Sequence, residues 1–129
     1  MLSNQVSPTD AQLAELQSYP QNIPLVMLNI LKFKEQTETN ETGQEVYARY
    51  LKNATPFVEN AGGRVVWKGQ VNSTVIGNPD YQPHVIFLVE YPSVNHFFTM
   101  VSNPEYQKIA GDRTIALEYG GLIACQNAE

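Results

Sequence analysis

Two short apolar runs constrain the fold of this chain more than any other feature: LVMLNILKF at Leu25–Phe33 and VIFLV at 85–89. Successive side chains of a strand point to opposite faces of the sheet, so a strand with one wet face alternates apolar and polar residues. Both runs are instead apolar on both faces. The sheet centre therefore needs cover on both sides, and we expect a second copy of the chain to cover the side that its own helices leave bare.

Composition indicates one globular domain. The chain has 129 residues, of which 43% are hydrophobic and 16% charged, which is enough to bury a core. A net charge of -5 without a basic cluster argues against nucleic acid or an anionic membrane as a partner. The single Cys125 suits a reducing compartment, and no apolar run approaches the roughly 20 residues of a membrane-spanning helix. With no secretory signal pattern at the N-terminus, we expect a cytoplasmic protein.

The predicted elements follow the order βαββαβ. A capping box from Thr42 to Glu45 begins one helix and Gly62 ends it, while Asn103 and Pro104 begin a later helix. This order predicts an α+β, ferredoxin-like sandwich with an antiparallel four-stranded sheet. The predicted strands are Leu25–Phe33, 64–71, 85–89 and 122–125.

Three local expectations complete this outline. Residues 1–23 form an N-terminal helical extension, with Ser7 as the helix N-cap, ahead of a domain at 24–129. In the edge strand, clean alternation places Val65 and Trp67 on the same face. The last helix is broken by the glycine pair at 120–121.

These elements contain VMLNILKF in the first strand, YARY at 47–50, GGR at 62–64, EYPS at 90–93 with Phe97, and PEY at 104–106 with Arg113 and Leu117. In these residues, which extend over about 24–125, the chain resembles the DUF1330 family of the dimeric α+β barrel superfamily. One departure is the sequence YQP at 81–83, where relatives often have Trp-Asp.

The resemblance implies a ferredoxin-like subunit whose sheet packs face to face on its twin. It also implies a cleft between sheet and helices, where members of the wider superfamily bind small organic molecules. Those members include cofactor-free monooxygenases, lactone isomerases and haem-handling enzymes. Because the family itself has no agreed activity, the resemblance implies a fold and a cleft but no reaction.

Arg113 is the most informative polar residue, because helical spacing sets it among apolar positions. A buried guanidinium needs an anionic or carbonyl partner, since an isolated buried charge is very costly. One interpretation is that Arg113 receives a substrate carboxylate or enolate. The alternatives are a structural ion pair with Glu90, or a side chain whose charged end reaches solvent.

Two further residues are candidates for chemistry. Asn29 interrupts an apolar strand face, where its amide either holds a substrate oxygen or satisfies a neighbouring group. His96 follows a helix start and is either a general base or a surface residue. Four residues are predicted to line the substrate pocket: Tyr50, Trp67, Glu90 and Tyr106.

These residues support three hypotheses, taken in this order. The first is an enzyme that acts on a small carbonyl-bearing compound without a bound metal or cofactor. In it Arg113 and Asn29 stabilise negative charge on oxygen, and His96 carries a proton. The second is a non-catalytic, metabolite-binding or regulatory homodimer, and the third is a structural partner protein. Two distant histidines and one cysteine do not form a metal ligand set.

Overall fold

Four strands form one antiparallel sheet in the computed structural model, which describes residues 5–128. Residues 1–4 of the predicted extension and Glu129 lie outside the described residues. The helices are α1 (Asp10–Gln17), α2 (Gly43–Asn60), α3 (Val94–Val101) and α4 (Pro104–Ala116), and the strands are β1 (Leu25–Phe33), β2 (Arg64–Gln70), β3 (Val85–Tyr91) and β4 (Leu117–Cys125). The strand order across the sheet is β2-β3-β1-β4, and each neighbouring pair is antiparallel. This confirms the ferredoxin-like α+β fold and the N-terminal helix.

One face of the sheet packs against the helices and forms the core. Along β1 the residues of this face are almost fully buried, and those of the opposite face are half-buried. β3 repeats the pattern, with Phe87, Val89 and Tyr91 on the helix side. We call this side the cavity face and the other the open face. Period-two alternation of the strand side chains therefore assigns each residue of the two central strands to one face.

The open face carries apolar side chains that no helix of the described chain covers. Leu28 pairs with Leu88 on β3 and with Ile123 on β4, so the three lie side by side across the sheet. Ile123 is 48% exposed and Trp67 is 55% exposed. Because the central strands are apolar on both faces and the helices cover one of them, the other face of the sheet remains uncovered in a single chain.

A β-bulge in β2 interrupts the alternation of faces that the sequence predicts for this strand. Val65 pairs with Val89, whereas Trp67 pairs with Leu88, so Val66 is an extra residue between them. An inserted residue shifts the phase of a strand by one, which turns the following side chains to the other face. Val65 therefore lies on the cavity face and Trp67 on the open face, contrary to the prediction that they share one.

The glycine pair at 120–121 lies inside β4 and does not break the last helix. The strand begins at Leu117, directly after α4 ends at Ala116. A Cβ atom at Gly120 would lie 2.7 Å from Leu117 Cδ1 and 3.0 Å from Arg113 Nη2. The glycine is needed because other side chains pass close over the strand, a tertiary reason that local sequence does not reveal.

Helix ends follow the predicted caps in α2 and α4 but not in α1. Thr42 and Glu45 form the expected capping box at 3.1 and 3.2 Å, and the Asn103 side chain caps α4. In α1 the N-cap is Thr9, which forms its own capping box with Gln12, so the prediction of Ser7 was wrong. A second hydroxyl residue two positions downstream supplied the better-placed acceptor.

Candidate functional site

A cavity of about 970 Å3 lies between the cavity face of the sheet and the helices. This volume is at the upper end of the range usual for small-molecule sites. Its walls are mainly apolar and come from the four strands and the four helices, together with the N-terminal segment. Apolar residues of these walls include Val6, Leu16, Met27, Ala54, Phe87, Val89 and Ala110.

Asn29 brings an amide to the floor of this cavity. It lies on the cavity face of β1 and is 8% exposed. Its Nδ2 donates to the carbonyl of Met27 at 3.2 Å, and Oδ1 accepts no hydrogen bond from the described residues. The local bond orients the amide, while the oxygen and the second amide hydrogen remain for a ligand or water.

Two tyrosine hydroxyls meet at the helix wall. Tyr50 on α2 and Tyr106 on α4 approach to 2.6 Å between their oxygens, and both side chains are buried. Burial raises the pKa of Tyr50, and the neighbouring Tyr106 raises it further. The pair holds two protons, and the bond between the hydroxyls uses one. Since no other described residue accepts from either hydroxyl, the second proton is available to an acceptor in the cavity.

Arg113 projects from the last turn of α4, where the helix dipole favours a positive charge. Nη1 donates to the carbonyl of Val6 and Nη2 to the carbonyl of Gly120, each at 3.0 Å. Burial raises the pKa of Tyr47 to about 12, and the nearby Arg113 guanidinium opposes the rise. Arg113 thus places a positive charge among the cavity's hydroxyl groups.

The N-terminal segment closes the cavity beside Arg113. Apart from the Val6 carbonyl, it is tied to the sheet by the Gly120 amide, which donates to the carbonyl of Gln5 at 2.8 Å. Gln5, Val6, Ser7 and Pro8 all line the cavity, as do Leu13 and Leu16 of α1. The extension is therefore part of the cavity wall.

Four of the seven predicted site residues line the cavity: Asn29, Tyr50, Tyr106 and Arg113. The other three do not. Glu90 lies on the open face and pairs with Arg64 at 3.0 Å, which also excludes the interpretation that Glu90 is the ion-pair partner of Arg113. Trp67 was turned to the open face by the bulge.

His96 lies on an exposed part of α3, where its Nδ1 is 2.7 Å from the hydroxyl of Ser93, the helix N-cap. That hydroxyl also accepts from the His96 backbone amide at 3.2 Å. The His96 side chain is therefore held at the start of α3 and does not reach the cavity.

The cavity lining contains tyrosines beyond the four predicted pocket residues, and Tyr47 and Tyr91 are two of them. Tyr47 lies next to Tyr50, with ring centroids 5.3 Å apart, and Tyr91 reaches Met100 Sδ with its hydroxyl at 3.9 Å. Burial raises the pKa of Tyr91, and Tyr106 raises it further. A signal for Tyr91 exists in the sequence, because alternation along β3 puts it in phase with Phe87 and Val89 and puts Glu90 in phase with Leu88.

Within residues 5–128 no group of three His, Cys, Asp or Glu side chains lies close enough to hold a metal ion. No helix in the same range is long and apolar enough to cross a membrane.

Comparison with known proteins adds a family and a fold. The family model described as a domain of unknown function, DUF1330, matches residues 37–125. A crystal structure of a protein of unknown function from Rhodopseudomonas palustris is 31% identical, with a TM-score of 0.92 over 98% of this chain and 99% of that one. No curated protein matches the chain significantly.

More distant structures share the fold alone. A hydroxynitrile lyase from Passiflora edulis is 12% identical, with a TM-score of 0.61 over 84% of this chain and 96% of that one. A dimeric protein of unknown function with a ferredoxin-like fold from Bacteroides fragilis is 11% identical, with a TM-score of 0.54 over 84% of this chain and 100% of that one.

Proposed function

The chain belongs to the DUF1330 family, and we propose that it binds a small organic molecule in the cavity between sheet and helices. The ligand's apolar body lies against Met27, Phe87 and Val89, and its oxygen-bearing head group meets Arg113 and the tyrosine pair. The observation that carries this proposal is the set of unused hydrogen-bond donors inside an apolar cavity. Among the described residues no fully buried side-chain polar atom lacks a partner, so these donors face the cavity itself, where an acceptor-bearing occupant can bind them.

Binding is favoured over proton-transfer catalysis by the kind of titratable groups in the cavity. A general base works best with a pKa near the operating pH. Burial instead raises the pKa values of Tyr47, Tyr50 and Tyr91. The only carboxylate among the described lining residues is Glu59, whose side chain is exposed on α2. The cavity thus supplies donors and a positive charge, but no base in its interior.

A metal-free enzyme acting on a small carbonyl compound is the second candidate. It is favoured by Arg113 and Asn29 lining one cavity, since both can donate to an oxygen on which negative charge develops. In this case Arg113→Met abolishes turnover and leaves the fold intact. Following each bound compound by NMR over several hours separates the candidates: conversion by the wild type supports the enzyme, and unchanged compound supports the binding protein.

We further propose that the protein is a homodimer formed through the open face. The support is the row of uncovered apolar side chains around Leu28 and Leu88, with Trp67 and Ile123 beside them. Each such side chain gains about 1.5–3 kcal/mol when it is fully buried. The B. fragilis protein of similar fold is described as dimeric. Pairing two open faces leaves each cavity in place on the far side of its sheet.

Thermal unfolding in the presence of small ketones, aldehydes and carboxylic acids tests ligand binding. We expect some of these compounds to raise the melting temperature of the wild type. Ala54→Trp, which fills the cavity from α2, should remove the effect, and Ala110→Leu is a milder replacement should the first variant not fold. Ala48→Trp adds the same ring on the exposed side of α2 and should respond like the wild type.

The proposal is contradicted if no compound in the set shifts the wild-type melting temperature. An equal shift in folded Ala54→Trp and wild-type protein would contradict it too, because binding would then lie outside the cavity.

A further inference from the structure

Arg113 is held by neutral partners only. The ion pairs of residues 5–128 join Arg49 to Glu41 and Asp112, Arg64 to Glu90, and Lys108 to Glu105, and none includes Arg113. Its guanidinium is half-buried and donates to two backbone carbonyls. A guanidinium that is partly removed from water is best satisfied by an anion, which forms shorter and stronger hydrogen bonds than a carbonyl does.

The two carbonyls on Arg113 differ in how firmly they are held. Gly120 belongs to β4, which is paired along its length with β1. Val6 belongs to the N-terminal segment, whose backbone is tied to the sheet here by the bond from the Gly120 amide to the Gln5 carbonyl. The Val6 carbonyl is therefore the partner that can leave.

We propose that the ligand is an apolar carboxylate or similar organic monoanion whose oxygens replace the Val6 carbonyl on Arg113. This inference rests on the proposed ligand-binding function and names the chemical class of the ligand. Anionic oxygens repel the oxygen of a neighbouring carbonyl, so an anion on Arg113 pushes Val6 away. The segment at 5–8 then leaves β4, and the cavity opens beside the arginine as the ligand binds.

Because the chain is acidic overall, a preference for an anionic ligand depends on one residue. With a net charge of -5, the protein as a whole repels anions. In the described lining, the other arginine is Arg64, and Glu90 already pairs with it. A preference for an anionic ligand must therefore come from Arg113.

Biphenyl-4-carboxylate and biphenyl-4-methanol are matched probes, because they share an apolar body and differ in charge. We expect the wild type to bind the carboxylate about 10- to 100-fold more tightly by calorimetry. Arg113→Met should bind the two probes equally, and Arg113→Lys should keep part of the preference. Arg49→Met removes an arginine on the outer side of α2, away from the cavity lining, and should behave as the wild type.

Hydrogen exchange tests the displacement of the segment. The Gly120 amide, protected by the Gln5 carbonyl, should exchange faster when the carboxylate binds and should not when the alcohol binds. This increase runs against the usual protective effect of a ligand.

The outcomes are separable. Equal affinities for both probes in the wild type would overturn the anion preference and leave ligand binding standing. A carboxylate preference without faster exchange at Gly120 would overturn the displacement of the segment. Binding of neither probe would count against the cavity as a site for ligands of this kind and hence against the proposed function itself.

Discussion

The two faces of strand β1 have different surroundings. On the cavity face Leu25, Met27 and Leu31 are covered by helices, and Asn29 stands among them with its amide oriented. On the open face Val26, Leu28 and Ile30 are only half-buried. Neighbouring residues along the backbone thus face the cavity and an uncovered apolar surface in turn. A polar group is tolerated where it finds a partner, and the open face between Leu28, Leu88 and Ile123 contains none.

The largest effect is expected from a charge placed on the open face. Leu28→Lys or Leu88→Lys should convert the proposed dimer to monomer or aggregate, because a buried ammonium without a partner is very costly. Static light scattering measures the molar mass. Val75→Lys introduces the same charge on a side chain that is 90% exposed in the connection after β2, and it should leave the mass unchanged. Undisturbed dimers from both leucine variants would refute pairing through this face.

A smaller and different effect is expected when matching leucines on the two faces of β1 are shortened. Replacing Leu31, which is 0% exposed, by alanine should lower the unfolding free energy of the protein by about 2–5 kcal/mol. The dissociation constant of the proposed dimer should not change in this variant. Leu28→Ala should instead raise that constant and cost the subunit less. Denaturant unfolding and sedimentation measure the two quantities, and the same response from both variants would show that the faces do not differ as proposed.

The smallest effect is expected in the pH dependence of the unfolding free energy, through a tyrosine of the cavity lining. Burial raises the pKa of Tyr47 from 10.0 to about 12, so its contribution to stability is fully present below pH 10 and is lost as the pH rises through 12. The loss amounts to about 2–3 kcal/mol. Tyr47→Phe should therefore show a shallower fall in unfolding free energy between pH 10 and 12 than the wild type.

Tyr81→Phe is the control for this titration, since the Tyr81 side chain is 81% exposed. It should retain the wild-type slope, measured by urea unfolding at each pH. A wild-type slope in Tyr47→Phe would mean that Tyr47 does not gain its proton affinity from the fold.

Local signals in the sequence predicted the elements well. The capping box at Thr42 and the Asn103-Pro104 pair begin α2 and α4 as expected, and Gly62, with a φ of +76°, ends α2 in the left-handed conformation that glycine adopts readily. The βαββαβ order then leaves few topologies. These features depend on residues within a few positions of one another, so they can be read without knowing the rest of the fold.

The location of the candidate site residues in the fold was harder to predict, because it depends on distant parts of the chain. The bulge at Val66 moved Trp67 to the open face, and extending the alternation of β3 would have placed Glu90 there as well. The His96 ring lies against the hydroxyl of Ser93, the N-cap of α3, and does not reach the cavity. Conversely, Arg113 and Tyr50 line the same cavity because α2 and α4 pack side by side on the sheet.

Periodicity and capping are local properties, and from them the sequence predicts the α+β order, both ends of α2, the start of α4 and the need to cover both sides of two apolar strands. Packing of the layers, in contrast, brings the polar groups into one cavity and the Val6 carbonyl onto Arg113. Those contacts join residues up to 107 positions apart. Their geometry depends on how the layers pack, which no local pattern specifies.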